Sequence, residues 1–187
     1  MKIIYETDRL LLCSSEAIRD QWFVDQEVCK YSSHGKLTER KLSNLDPEKN
    51  VCWDVWLRPQ TDLDVGVLIG RVSLMDIDWL NRKAEFSCIF GEKKYWGQGY
   101  AYEAMHQLFH HGFFKLGLNR IWLGTAQWNN GMVKLADKMG MEYEGCLSED
   151  VYLDGTFTDV CRYGMTRKLW DRIALHKRVV EHNNNIV

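Results

Sequence analysis

One stretch, IFGEKKYWGQGYAYEAMHQLFHHGFF from Ile89 to Phe114, constrains this chain more than any other. Up to Gly91 it alternates like a strand. From Ala101 the spacing of apolar residues becomes that of a helix, with Ala101, Ala104, Met105, Leu108, Gly112 and Leu116 on one face and Gly117 closing it. Gly97 and Gly99 stand between the two periods. A helix N-terminus presents unpaired amides and a partial positive charge, and glycines there let phosphate oxygens come within hydrogen-bond range. The KYWGQG loop therefore reads as a pyrophosphate cradle or as an ordinary strand-to-helix turn. A Walker loop would need Gly-Lys-Ser/Thr, and a GxGxxG fingerprint would need glycine where Tyr102 stands, so neither nucleotide motif fits. The helix lies between the strand ending at Gly91 and RIWLGTAQ, Arg120 to Gln127, which predicts a parallel crossover.

The remaining segments fill in a mixed sheet. RLLLC, Arg9 to Cys13, reads as a first strand, and Ser14 or Ser15 as the cap of a helix through EAIRDQWFVDQEVCKY. Residues 32 to 50 are polar and read as a loop with a short helix. NVCWDVWLRP, DVGVLIGRVSLMDIDW and KAEFSCIFG form three strands of an antiparallel meander. A helix follows over Asn129 to Gly140. Two strands then meet at Asp154-Gly155, a hairpin signal. A last amphipathic helix covers about Arg167 to Glu181, and residues 182–187 read as a frayed tail. The expected order is β-α-βββ-α-β-α-ββ, an α/β layer architecture in a single domain over 1–187.

Composition narrows the classes. A net charge of -2 gives no general field for nucleic acid or an anionic membrane, so neither is an expected partner. No apolar run reaches the roughly 18 residues of a membrane span, and MKIIYETDRLLL lacks a signal-peptide core, so the expected location is cytoplasmic. The six cysteines form no CxxC pair and read as buried free thiols. His106 and His110 are helix-spaced near Glu103 but lack an HExxH pattern, so no metal site is expected. Trp53, Trp56 and Trp79 read as core or dimer packing rather than pocket walls. Asp76, Asp78, Glu149 and Asp150 read as solvated loop charges or as attractors of an amine.

The loop with its flanks resembles the GNAT N-acetyltransferases, in particular the subgroup of ribosomal-protein and spermidine acetyltransferases. The resemblance rests on ETDRLLL, on NRKAEFSCIFGEKKYWGQGYA, and on RIWLGTAQWNNGMVKLADKMGMEYEGCLSEDVYLDGTFTDV, and spans residues 5–170. It implies a mixed, mostly antiparallel central sheet, helices on both faces and a splayed parallel strand pair. It implies acetyl-CoA as co-substrate, with its pyrophosphate on the loop formed by Lys94, Trp96, Gly97, Gln98, Gly99, Tyr100 and Ala101. The pantetheine arm would lie between SCIFG and RIWLGTAQ, pairing with backbone groups of Ile89 and Phe90, and Asn129 would match the family's coenzyme-contacting Asn. Glu85 occupies the position of a catalytic Glu, and Ser33 and His34 fall where relatives shape the acceptor pocket. Lys94 replaces the usual Gln or Arg. Ala136 and Met132 stand where relatives carry a proton-donating Tyr and a Ser, which leaves Tyr143 and Tyr152 as other donors to weigh. The implied acceptor is a primary amine of an amino sugar, polyamine or aminoglycoside. The alternatives are a protein N-terminus, as on a ribosomal protein, and a non-catalytic acyl-CoA sensor. A homodimer is compatible with the family.

Overall fold

The structure is a computed structural model that describes residues 2–14, 20–31, 46–59 and 66–184, with side chains through residue 176. Among the described residues eight strands form one sheet: β1 (Ile3–Glu6), β2 (Leu10–Ser14), β3 (Val51–Leu57), β4 (Val67–Asp78), β5 (Lys83–Phe90), β6 (Arg120–Ala126), β7 (Glu142–Leu153) and β8 (Thr156–Thr166). Their spatial order is β1-β2-β3-β4-β5-β6-β8-β7. Every neighbouring pair is antiparallel except β5 with β6. The helices are α1 (Asp20–Val24), α2 (Tyr100–Phe114), α3 (Asn130–Met139) and α4 (Arg167–Asn184).

The period switch at the glycine loop builds the core. On β5, Ala84 and Phe86 are buried, while Glu85 and Ser87 turn to the other face. α2 buries Ala104, Met105, Leu108, Phe109, Gly112 and Phe113, the spacing of a single helical face. Phe109 meets Phe86 edge-on with centroids 5.5 Å apart, and Trp170 of α4 lies 5.6 Å from Phe113. α2 and α4 thus cover one face of the sheet, with α3 beside α2. α1 covers the opposite face, where the buried Trp22 lies flat on Gly91: a Cβ there would fall 2.1 Å from the indole.

Several expectations are revised. β1 was not expected. Its residues are mostly exposed, so it carries no alternating burial signal. It is held by Tyr5, whose ring packs on Trp53 at 5.1 Å and whose hydroxyl meets His111 Nδ1 at 3.1 Å. Trp53 is core, as expected. Ser14 ends β2 and accepts from the Lys2 amide at 3.1 Å, and the residues it would cap lie outside the described ones. Ser15 lies outside the described residues. The first helix ends at Val24 rather than near Tyr31, because the Asp25 carboxylate captures the amides of Glu27 and Val28 at 2.9 and 3.2 Å and closes a turn. α4 runs on to Asn184, into the segment expected to fray.

The cysteines need the largest correction. Cys146 and Cys161 are joined in a disulfide between β7 and β8, and Cys13, Cys29, Cys52 and Cys88 are free. The Asp154-Gly155 turn forms as expected, with φ of 46° and 87°. Continued regularly from Leu153↔Thr156, that hairpin would set Cys146 opposite Tyr163. A register shift between Leu147 and Val151, with Glu149 at φ 53° and its amide held by Asp159 Oδ1, brings Cys146 opposite Cys161 instead. No helix among the described residues is long and apolar enough to cross a membrane.

Candidate active site

β5 and β6 pair only at Lys83↔Arg120, Ala84↔Ile121 and Glu85↔Trp122, although β5 continues to Phe90 and β6 to Ala126. Beyond Glu85 the two strands part. β4 and β8 hold their outer edges throughout, so the opening is a wedge between two supported strands. Gly91 donates to the Ile69 carbonyl at 3.2 Å, so by the two-residue alternation Ile89 and Ser87 turn their backbone groups to β4. Phe86, Cys88 and Phe90 turn theirs into the wedge. Of the two residues expected to pair with a pantetheine arm, Phe90 therefore faces the opening, and Ile89 faces its own ladder partner.

The glycine loop closes the wide end of the wedge. A 3-10 turn over Lys93–Tyr95 leads to Gly97 and Gly99, both left-handed at φ 75° and 83°. A Cβ at Gly97 would meet nothing within 4 Å, so the space above it is open. Gly99 is the N-cap of α2 and offers no side-chain cap to the first-turn amides. Trp96 donates its indole N–H to the Phe90 carbonyl at 2.7 Å, and Gln98 Nε2 donates to the Lys94 carbonyl at 2.9 Å. Lys94 holds its ammonium 4.8 Å from the centre of the Tyr95 ring. Open space over paired glycines, uncapped amides and a helix dipole pointing at them suit an anionic pyrophosphate.

Sequence reasoning missed what steadies this loop. Arg9, from the turn before β2, donates from Nη1 to the Gln98 carbonyl at 3.0 Å and from Nε to Glu103 at 2.7 Å. Thr7 Oγ1 holds the other Glu103 oxygen. A contact between positions so far apart in the chain leaves no local signal. Across the wedge, Asn129 caps α3, its Oδ1 accepting from the Met132 amide at 3.2 Å. Ala136, at the expected tyrosine position, is fully buried. Tyr143 and Tyr152 are exposed on β7, with β6 and β8 standing between them and β5. Ser33 and His34 lie outside the described residues. His106 packs 4.8 Å from Trp170, and His110 stacks on Phe114 at 4.6 Å.

Glu85 stands at the last paired position before the strands part, half-buried and opposite Met75 of β4. Burial, and then the nearby Asp76 carboxylate, push its carboxyl above the usual range, while the Arg162 guanidinium pulls the other way. Arg162 lies 4.7 Å over the ring of Trp122, the β6 partner of Glu85. Asp76 sits at φ 48° in an irregularity of β4, its amide held by Asn50 Oδ1 at 3.2 Å. It also lines a cavity of about 420 Å³ with Lys49, Ile77, Asp78 and Trp79. On the same face of the sheet, Asp54 and Arg71 form a buried ion pair with Nε to Oδ1 at 2.9 Å.

An acetyltransferase (GNAT) domain model matches residues 6–142, most of the chain. The chain belongs to the GNAT acetyltransferase family. Enzymes of this family use acetyl-CoA, and the wedge and glycine loop described above fit that co-substrate. An uncharacterized N-acetyltransferase of Bacillus licheniformis is 28% identical over 178 residues, 90% of this chain and 98% of the relative. A spermidine N(1)-acetyltransferase of Vibrio cholerae is 34% identical over 95 residues, 51% of this chain and 54% of the relative. Among solved structures, a Vibrio cholerae spermidine N-acetyltransferase in complex with CoA and spermine superposes with a TM-score of 0.73 at 23% identity, covering 88% of this chain and 99% of the other. That likeness shows the fold. This GNAT chain is an N-acetyltransferase, with the expected mixed sheet, helices on both faces and a parallel strand pair.

Proposed function

We propose that this enzyme passes the acetyl group of acetyl-CoA directly to a primary amine of a small molecule, a polyamine ahead of an amino sugar or an aminoglycoside. The observation that carries the reading is the link between Glu85 and Asp76. A half-buried carboxylate at the point where the two strands begin to part neighbours a second one, and that second one lines an open cavity beside Trp79. Asp76 and Asp78 attract an ammonium group, and Glu85 takes a proton from the amine that attacks. An alkyl amine is protonated near neutrality, with a pKa of about 10, so a base of raised pKa held in place is the group this chemistry needs. A relative named for spermidine acetylation supports a polyamine as the first acceptor to test.

The coenzyme's own contribution is the activated acetyl thioester. The chain binds its pyrophosphate through the amides of Gly97 to Ala101 and offers the wedge-facing backbone of Cys88 and the Phe90 amide to its arm, since the Trp96 amide is held by the Lys93 carbonyl and the Phe90 carbonyl by the Trp96 indole. The Asn129 side chain stands on the opposite wall. Free thiol release with spermidine, an aminoglycoside, an amino sugar and a peptide with a free N-terminus tests the reading. Release with spermidine is expected. Release with the peptide alone would overturn it in favour of a protein N-terminal acceptor, and coenzyme binding with no release on any amine would overturn it in favour of a sensor.

A further inference from the structure

Four cationic side chains surround the glycine loop, and they differ in what neutralises them. Lys93 lies 3.0 Å from both Asp25 and Glu27. Arg9 is paired with Glu103, Nη2 to Oε2 at 2.5 Å, and donates from Nη1 to the Gln98 carbonyl. Lys94 lies over the Tyr95 ring, 4.8 Å from its centre. Lys138 reaches the loop from the last turn of α3, with its ammonium 4.6 Å from the centre of the Tyr102 ring. A Cβ on Gly99 would fall 3.9 Å from Lys138 Nζ and 3.7 Å from Arg9 Nη2. Lys138 makes no ion pair among the described residues.

Two cations thus converge on one left-handed glycine at the uncapped N-terminus of α2. The charge of Arg9 is cancelled by Glu103, which sits in the first turn of that helix and would otherwise repel an anion there. Lys138 is the net positive charge at Gly99. We propose that Lys138 binds a phosphate of the coenzyme at this position. The proposal rests on the coenzyme lying in the loop as described for the active site. The position of Lys138 on α3 suits such a contact. That helix begins at Asn129 on the wall of the wedge and returns its last turn to the loop, so one helix brings two groups to the two ends of the co-substrate. The coenzyme offers two phosphate sources, the pyrophosphate and the phosphate on the ribose.

Titration calorimetry of CoA and dephospho-CoA into wild type, Lys138→Ala and Lys138→Arg tests this. A charge-assisted contact at an exposed site predicts roughly a tenfold rise in the Kd for CoA on Lys138→Ala, largely restored by Arg. Loss confined to CoA would assign the ribose phosphate, and equal loss with both ligands the pyrophosphate. Wild-type affinity in Lys138→Ala would overturn the proposal while leaving the coenzyme site standing. Failure of the wild type itself to bind CoA would overturn both. Thermal melts of the variants separate these outcomes from misfolding, since losing an exposed Lys from a last helical turn should shift Tm by only about 1–2 °C.

Discussion

The indole N–H of Trp96 donates to the carbonyl of Phe90 at 2.7 Å, tying the glycine loop to the unpaired edge of β5. The glycine loop and the wedge are thereby held in one relative position. Trp96→Phe keeps an aromatic ring, though a smaller one, and removes the donor. A net hydrogen bond of about 0.5–1.5 kcal/mol predicts a two- to tenfold weaker acetyl-CoA affinity, on the order of its loss. Calorimetry on the variant checks this. Tighter binding would show that the indole competes with the coenzyme for the carbonyl.

Gly91 and Trp22 form a second such pair. A methyl on Gly91 would fall 2.1 Å from the Trp22 ring, and no left-handed backbone is involved, so the conflict is steric alone. Gly91→Ala is expected to destabilise by about 1–3 kcal/mol or more through overpacking, a fall in Tm of roughly 2–4 °C per kcal/mol at this chain length. Trp22→Ala loses packing by itself. In that background the added methyl meets no ring, so the two changes together should cost clearly less than their sum. Additive melts would show that Trp22 does not rest on Gly91 in solution.

What could be read from the sequence divides along the range of the interactions. The strands β3 to β6, the Asp154-Gly155 turn and the strand-to-helix switch at Gly97 and Gly99 depend on local alternation and turn chemistry, and the structure shows them. The family resemblance singles out Glu85 on β5, but its charged neighbours Asp76 and Arg162 come from β4 and β8, which no local pattern reveals. The alternation on β5 is legible, yet which parity faces β4 depends on the register with Ile69, so the resemblance names Ile89 beside Phe90 whereas the ladder turns Ile89 to β4. Arg9 and Lys138 converge on Gly99 from opposite ends of the fold, and nothing near either residue announces it. β1 is an edge strand with little to bury, so its residues show no pattern.

The disulfide depends on a bulge that no periodicity reveals, and it makes a direct prediction. Without reductant, a thiol titration of the denatured protein should find four free groups, those of Cys13, Cys29, Cys52 and Cys88. Cys146 and Cys161 are 15 residues apart, and closing such a loop restricts the unfolded chain by up to about 3 kcal/mol. Reduction or Cys146→Ser should lower Tm by as much as about 6–12 °C while β7 and β8 stay paired through their turn. Six reactive thiols and a melt indifferent to reductant would rule the bond out.

The pH dependence of transfer tests Glu85 and Asp76 together. Glu85 acts as a base only when ionised, and its burial and the Asp76 charge both oppose ionisation. The acidic limb of kcat/KM should therefore lie above the ordinary glutamate value of about 4.3. Asp76→Asn removes the second cause while keeping a residue type that tolerates φ 48°, so the limb should move down. Arg162→Met removes the opposing charge, and the limb should move up. Stability carries the matching sign. A carboxyl whose folded pKa is raised stabilises the fold fully below its unfolded value, and that contribution is lost as pH rises through the folded value. Glu85→Gln escapes the loss, so at about pH 7 it should melt at or above wild type while transfer falls about 10²–10⁴-fold, as expected on removing a general base. Retained transfer in Glu85→Gln, or a limb unmoved by Asp76→Asn, would remove Glu85 from the proton path and leave it a binding carboxylate for the amine.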